Sequence, residues 1–186
     1  MTANLLRIGT LIAAFVLHAH AAPLTLTSHR ITWSGSMPIQ THSGTITPDT
    51  VHATVDNDSL TELRVTIDMA SIRNEDIRKE SSRRKLEGHL RSADFFHVDQ
   101  FPQATFVMNT FDGSTLSGDL TIRGVTRPVT MPASLTRTDS GGWRLATTFT
   151  FNRQDFNVNY QNSGLFGTAK NKLIADDVTV GIDLTF

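Results

Sequence analysis

The chain has 186 residues, a formal net charge of −1 and no cysteine. Its length fits one domain, and the nearly neutral balance of scattered Lys and Arg argues against a nucleic-acid-binding surface or a polybasic membrane patch. Without cysteine there is no disulfide framework, no thiolate nucleophile and no lipoprotein anchor.

The first 21 residues have the organisation of a secretory signal peptide. Arg7 precedes an apolar run of about ten residues, 8–17, which is well short of the roughly 20 needed to span a bilayer. Ala19 and Ala21 place small residues at the −3 and −1 positions of a cleavage site. We expect cleavage after Ala21, secretion, no stable membrane insertion afterwards, and one domain over 22–186. A buried N-terminal helix and a retained membrane anchor are the alternatives.

Apolar and polar residues then alternate with the period of β-strands. This pattern predicts strands at 24–33, 51–55 and 60–72, with a turn-rich link at 41–49 that holds a further short strand at 44–47. The strand at 60–72 has one apolar and one polar face. Such a strand is typical of an antiparallel sheet that meets water on one side.

The segment that follows is charged and does not alternate. Leu86 and Leu90 are four residues apart, which favours a short helix over about 81–90 with one of the two serines at its start as N-cap. Gly88 weakens a helix by about 1 kcal/mol relative to Ala, so the helix is expected to end early.

Next comes an aromatic loop at 92–102. Phe95, Phe96 and Phe101 lie in or at the end of it, and Phe106 follows shortly after. Since this loop does not alternate, we expect it to cross one face of a barrel and to help close an apolar cavity there.

The second half returns to alternating strands, at 104–111, 116–122, 129–135, 143–151 and 177–186. Turn residues mark hairpins at 112–114 and 139–142. The segment 123–128 is expected to bend the chain, and 152–173 forms a long excursion rich in Asn and Gly.

About eight strands joined mostly by short turns predict an all-β, antiparallel up-and-down barrel with one short helix. Closure of the sheet removes the exposed edges that an open sheet of this size would carry, and it pairs the first strand with the last. Eight strands leave an interior just wide enough for side chains or one small ligand.

The sequence contains no Gly-x-Ser-x-Gly and no phosphate-binding glycine motif. Five histidines follow position 21, and none is spaced as a metal-ligand pair, so we expect no metal, although distant strands could assemble a zinc site. Among them, His89 and His97 flank the aromatic loop. Arg153 and Asp155 are two residues apart, so they could pair across a barrel mouth or form an ordinary exposed ion pair.

Eleven phenylalanines are many for a chain of this size, and several fall outside the predicted strands. Met69, Met108 and Met131 add adaptable apolar surface. These residues favour a ligand cavity over a solidly filled barrel, and the filled barrel remains the alternative.

Three segments resemble the YceI-like family in order and spacing: 85–106, 116–131 and the Arg-x-Asp-Phe element within 152–156. The resemblance covers nearly all of the predicted mature chain. It implies a lipocalin-like barrel exported to the periplasm, with a long apolar pocket that holds a polyisoprenoid or a similar lipid. It implies no catalytic residues, no cofactor beyond a bound polyisoprenoid or isoprenoid quinone, and a possible homodimer.

We therefore predict a periplasmic, non-enzymatic carrier of one long apolar lipid, with no nucleic-acid partner. Ten residues are expected to bind the lipid: Phe95, Phe96, Phe106, Met108, Leu120, Ile122, Leu145, Phe149, Phe151 and Phe156. One alternative is an enzyme that acts on a lipid head group through His89, His97, Arg153 and Asp155. The other is a ligand-free barrel with an interaction or stress-protective role.

Overall fold

A computed structural model describes residues 21–37, 40–160 and 174–186. The predicted signal peptide lies outside these residues apart from Ala21, as does most of the predicted excursion at 152–173. Nine strands lie in the described ranges: β1 (Ala22–Pro23), β2 (Ser28–Met37), β3 (Gln40–Asp56), β4 (Ser59–Asn74), β5 (Gln103–Phe111), β6 (Thr115–Ile122), β7 (Val125–Arg137), β8 (Trp143–Asn152) and β9 (Asp177–Thr185).

The eight long strands close into an antiparallel barrel. Each pairs with the next along the chain, and β2 also pairs with β9, from Ser28 opposite Thr185 to Gly35 opposite Val178. The two-residue β1 adds to the edge of β3. The predicted up-and-down barrel, with its first and last long strands paired, is confirmed.

The β3 strand is longer than the sequence pattern indicated. The predicted link at 41–49, the short strand inside it at 44–47 and the strand at 51–55 form one strand of 17 residues. Its pairing with β4 shifts register three times, once between Pro48 and Thr50. A register shift accommodates a proline, which has no N–H for the ladder, and it also interrupts the two-residue period that predicts a strand.

The predicted bend at 123–128 is a tight hairpin turn of only two residues, Arg123 and Gly124. Both have positive φ, 51° and 72°, as the twist-compatible hairpin turns require. A Cβ on Gly124 would lie 2.8 Å from a ring carbon of Phe101, so a side chain at this position would also force that ring to move. Strand β7 therefore begins at Val125, and Pro128 lies within it opposite Asp119.

Helix α1 (Glu80–Arg91) occupies the predicted position but begins without a side-chain cap. The N-cap is Lys79, so the predicted serine cap is wrong, and Gly88 does not end the helix. Tertiary contacts explain why the helix continues past Gly88. Leu90 is buried, and the buried Glu87 carboxylate accepts a 2.9 Å hydrogen bond from the backbone N–H of Asn74 at the end of β4.

Two apolar clusters divide the barrel interior along its axis. We call the first the floor cluster: Ala53, Val55, Leu60, Leu63, Val65, Leu116, Met131, Ala133, Trp143, Leu145, Leu184 and Phe186. We call the second the helix-side cluster: Met69, Ile72, Leu90, Phe95, Phe96, Val98, Ala104, Leu120, Ile122, Phe151, Phe156 and Val158. The floor cluster is built almost wholly from strands, whereas the helix-side cluster includes α1 and the aromatic loop.

Candidate functional site

A cavity of about 810 Å³ lies inside the barrel. This volume falls within the range of pockets that enclose small ligands. Its wall consists mainly of apolar side chains from the inward faces of the strands, α1 and the aromatic loop. It reaches Leu116, Leu145 and Leu184 of the floor cluster but not Leu60 or Trp143, so these two lie below its end.

The cavity opens between the β2–β3 hairpin and α1. Gln40, Ser82 and Lys85 line it there, and all three are exposed to solvent. The opening is polar and the depth is apolar. This gradient suits a molecule that enters with an apolar tail first.

Eight of the ten predicted ligand-binding residues lie on the cavity wall. They are Phe95, Phe96, Phe106, Leu120, Ile122, Leu145, Phe149 and Phe151. Phe95 and Phe96 are buried and contact each other edge to face, with ring centroids 5.0 Å apart. The aromatic loop therefore forms part of the wall, as its position in the sequence indicated.

The other two predicted residues, Met108 and Phe156, lie off the wall. Met108 sits opposite Gly118 beside the floor cluster, immediately before a register shift in β5. Phe156 is 1% exposed and packs edge to face against Phe151, with centroids 5.5 Å apart. It lies in a short 3₁₀ helix, Arg153–Phe156, and supports the wall from behind.

Sequence reasoning missed much of the wall on the first strands and the last. Ile31, Trp33, Ile67, Met69, Val178 and Val180 also line the cavity. Alternation had already assigned several of them to apolar faces, so the pattern contained the signal. The helix contributes Leu86 and Leu90, which their four-residue spacing had placed on one face.

Arg153 is the most deeply buried charged residue of the described chain, with 0% exposure. Its guanidinium donates to the backbone oxygens of Val158 (2.6 Å), Ile174 (3.0 Å) and Ala175 (3.1 Å), and to Asp176 Oδ1 (3.3 Å). Burial lowers the pKa of Arg153, and the charge of Asp176 opposes that shift. The side chain therefore fastens two segments of the chain at the cavity wall.

The predicted pairing of Arg153 with Asp155 is wrong, because the partner of Arg153 is Asp176 and Asp155 is exposed. His97 lies against Phe101, with ring centroids 5.8 Å apart, and does not line the cavity. Of the four residues of the enzyme alternative, only His89 and Arg153 line it. No hydrogen bond joins any two of these four, all of which are described residues.

A second cluster of hydrogen-bonded polar side chains lies beside the opening. His42 Nδ1 lies 2.8 Å from Asp76 Oδ2, and Asp76 Oδ1 accepts from the Ser43 backbone N–H at 2.8 Å and from the Asn74 amide. Burial pushes the pKa of Asp76 upward, but these hydrogen bonds outweigh it and hold that pKa below the ordinary value for Asp. The group joins the start of β3 to the segment between β4 and α1.

Within residues 21–37, 40–160 and 174–186, no group of three or more His, Cys, Asp or Glu side chains is arranged to hold a metal ion. The same ranges contain no helix with the length and apolar character needed to cross a membrane.

The YceI-like domain model matches residues 23–186. "Protein YceI" of Shigella flexneri is 36% identical over 91 residues, which are 47% of this chain and 44% of that protein. A UPF0312 protein of Yersinia enterocolitica is 46% identical over 59 residues, 30% of this chain and 31% of that protein. These alignments span less than half of each relative.

Solved structures share the fold at low sequence identity. Burkholderia cenocepacia BcnA is 20% identical with a TM-score of 0.64, over 85% of this chain and 96% of that one. A polyisoprenoid binding domain from Saccharophagus degradans is 16% identical with a TM-score of 0.62, over 88% and 95%. The Campylobacter jejuni YCEI protein is 18% identical with a TM-score of 0.55, over 100% and 98%.

Proposed function

The chain belongs to the YceI-like domain family, and from that premise we propose that it binds one long apolar lipid, a polyisoprenoid or a chain like it, inside its barrel. The observation that carries this proposal is the apolar cavity of about 810 Å³ with a polar opening at one side. A structural relative described as a polyisoprenoid binding domain supports the choice of ligand class.

The size of the cavity limits the length of chain that it can enclose. If each carbon needs roughly the 30 Å³ that a water molecule occupies in the liquid, the cavity holds on the order of 27 carbons, or about five isoprene units. A longer lipid would leave part of its chain at the opening between the β2–β3 hairpin and α1.

Binding is driven by transfer of the chain out of water. Each buried CH₂ contributes about 0.8 kcal/mol, so one isoprene unit of five carbons contributes roughly 4 kcal/mol before costs. Five such units would reach the observed ceiling of non-covalent affinity near 20 kcal/mol, so the ordering of a flexible chain must offset a large part of this gain. An apolar wall discriminates one methylene by only about 1–3 kcal/mol, and we expect several lipids, isoprenoid quinones among them, to compete.

We propose further that the protein acts in the periplasm as a carrier, which takes up and releases lipid by equilibrium binding without chemical change. The location rests on the N-terminal signal pattern, which ends at Ala21. The carrier role rests on the open polar side of the cavity. N-terminal sequencing of protein from a periplasmic extract tests the location and is expected to read Ala22-Pro23.

Native mass spectrometry of the protein purified from its own host, followed by lipid extraction, tests the ligand. We expect a bound species whose mass fits one long apolar lipid, and uptake of labelled isoprenoid once that lipid has been removed. Protein that is empty when purified and also fails to take up labelled isoprenoid would contradict the proposal. Sedimentation of the same sample tests the homodimer that the family resemblance implies.

A further inference from the structure

Several polar side chains on the cavity wall already have protein partners. His42 contacts Asp76 at 2.8 Å, the Ser36 hydroxyl lies 2.9 Å from that of Thr41, and the Thr147 hydroxyl donates to the Pro132 oxygen at 2.7 Å. The guanidinium of Arg153, described above, donates to four oxygens.

In the described part of the chain, two buried side-chain polar atoms lack a hydrogen-bond partner, Asp56 Oδ1 and His89 Nε2. Asp56 ends β3 and does not line the cavity, whereas His89 does. A buried nitrogen without a partner loses its hydrogen bonds to water and gains nothing in exchange. His89 therefore has an unused hydrogen-bonding atom inside a cavity whose wall is mainly apolar.

The ring of His89 is held in place on several sides. It contacts Phe95 edge to face at 5.9 Å and Tyr160 at 4.5 Å, both measured between ring centroids. Its backbone oxygen accepts from the Ser92 N–H (3.1 Å) and from the Ser92 hydroxyl (2.8 Å), which fastens the last turn of α1. The ring is thus positioned before any ligand enters, which limits the ordering cost of a new hydrogen bond.

We propose that His89 Nε2 hydrogen-bonds an uncharged oxygen, a hydroxyl or a carbonyl, at the polar end of the bound lipid. This inference rests on the proposed function and adds the chemistry of the ligand's polar end. A neutral imidazole nitrogen donates or accepts, depending on its tautomer, and either role suits a hydroxyl. With the oxygen beside α1, the chain extends toward the floor cluster, where the wall is apolar.

The charges on the wall argue against a phosphate or diphosphate at His89. Two cationic side chains line the cavity, Arg153 and Lys85. The N–H groups of Arg153 face three backbone oxygens and a carboxylate, and Lys85 is exposed at the opening. Lys85 lies one helical turn from His89 on α1 but is exposed to solvent at the opening. A phosphate buried beside the His89 ring would therefore lose water without a buried cation to compensate for it, and burial of such a charge is strongly unfavourable.

The test compares three 20-carbon ligands on the purified protein: geranylgeraniol, geranylgeranyl diphosphate and a branched hydrocarbon of the same length with no oxygen. Dissociation constants come from displacement of a fluorescent isoprenoid probe. We expect the prenol to bind more tightly than the diphosphate. His89→Phe keeps a ring but removes the nitrogen, and it should lower the ratio of prenol to hydrocarbon affinity about tenfold, the usual size of a buried hydrogen bond.

Two matched variants accompany this measurement. His52→Phe makes the same exchange on an exposed residue of β3 that does not line the cavity, and it should leave the ratio unchanged. His89→Gln restores a donor and an acceptor and should recover part of the ratio. If His89→Phe does not fold, wild-type protein labelled with ¹⁵N-histidine replaces it: the prenol should shift the His89 Nε2 resonance and the hydrocarbon should not.

The possible failures are distinct. If wild-type protein binds neither prenol nor hydrocarbon, the proposed lipid-binding function fails and this inference fails with it. If it binds both, and His89→Phe leaves their ratio unchanged or the ¹⁵N resonance does not respond to the prenol, only the role of His89 is overturned. Tighter binding of the diphosphate than of the prenol would also overturn the uncharged polar end.

Discussion

The floor cluster and the helix-side cluster hold the two halves of one barrel by different means. In the floor, neighbouring strands bring apolar side chains together, and backbone bonds between Trp143 and Phe186 join the end of the chain to β8 at 2.8 and 3.0 Å. On the helix side, Arg123 donates to the oxygens of Ala93, Phe95 and Asn157, which alternation does not bring together.

Because of this difference, we expect the stability of the barrel and its binding of a ligand to depend on different residues. The floor follows from alternation and strand order, so it needs no particular polar residue. The helix side must place a helix and loops around an opening, and it does so with buried side chains such as Arg153 and Glu87 that bond backbone atoms. Changes to floor residues that do not line the cavity, such as Trp143, should therefore alter unfolding, whereas changes to wall residues on the helix side should alter both folding and ligand binding.

The largest expected effect is that of Trp143→Ala in the floor. Trp143 is buried, does not line the cavity and lies beneath the Arg137 guanidinium, 4.0 Å from its ring centroid. Loss of such a side chain costs about 3–5 kcal/mol of the free energy of unfolding, which urea denaturation measures. Among molecules that remain folded, lipid affinity should change by less than about twofold.

Phe151→Ala is the counterpart on the helix side. Phe151 is as buried as a core residue and also lines the cavity. We expect a similar loss of stability together with lipid affinity about tenfold weaker, because ligand contacts disappear as well. Equal effects of Trp143→Ala and Phe151→Ala on affinity would show that the two clusters do not divide these roles.

Arg153→Met should have the next largest effect on stability. Methionine keeps much of the volume but removes the donor that three backbone oxygens and Asp176 share. We expect a loss of about 3 kcal/mol in the free energy of unfolding, since breaking a buried charged network is costly even when its net contribution is small. Hydrogen exchange should accelerate first around Val158 and 174–176. Arg127→Met, on an exposed residue of β7, is the control.

The sequence predicts the strand-built part of this molecule well for a physical reason. Alternation depends on neighbouring residues alone, so the strand predicted at 60–72 appears as Ser59–Asn74 and the one at 143–151 as Trp143–Asn152. Alternation fails at Pro48, where a register shift breaks the period. The predicted serine cap is wrong because the helix begins earlier, after Lys79, so that both serines lie inside its first turn.

The helix-side site could be predicted only in part. Phe95 and Phe96 could be predicted as wall residues because they lie in a loop whose apolar and polar residues do not alternate. The Arg153 network could not be predicted, because its partners lie about 5 and 21 to 23 residues away and include backbone oxygens. Nor could alternation distinguish a cavity from a filled barrel, because the same residues point inward in both and only the summed side-chain volume differs.

Substitution of Glu87 tests how α1 is attached to the barrel. Its buried carboxylate accepts from the Asn74 N–H at 2.9 Å, so Glu87→Leu should leave that N–H without a partner and cost about 1–3 kcal/mol of the free energy of unfolding. Glu87→Gln keeps an acceptor of the same shape and should cost less than about 1 kcal/mol. We also expect faster lipid release from Glu87→Leu, measured by stopped-flow probe displacement, because α1 borders the opening. Equal costs for both variants would mean that this hydrogen bond does not hold the helix.

The smallest effect concerns acid stability at the opening. Burial raises the pKa of Asp76, but hydrogen bonds from the Ser43 N–H, His42 and Asn74 lower it more, so folding favours the ionised carboxyl. Its contribution is therefore present above the unfolded pKa of about 3.9 and is lost as the pH falls through the lower folded pKa. Because the side chain of Asp76 is 30% exposed, we expect that contribution to stay below about 1 kcal/mol.

Urea denaturation of wild type and Asp76→Asn from pH 6 to pH 2 measures this contribution. The two unfolding free energies should differ most above pH 4, with wild type the more stable. They should converge toward pH 2, because protonation then leaves Asp76 of the wild type as uncharged as the asparagine of the variant. His42→Ala, which removes one of the three donors, should show a smaller difference of the same sign. A difference that persists undiminished at pH 2 would assign the effect to the shape of Asp76 rather than to its charge, and the opening would then resemble the floor in being held by packing.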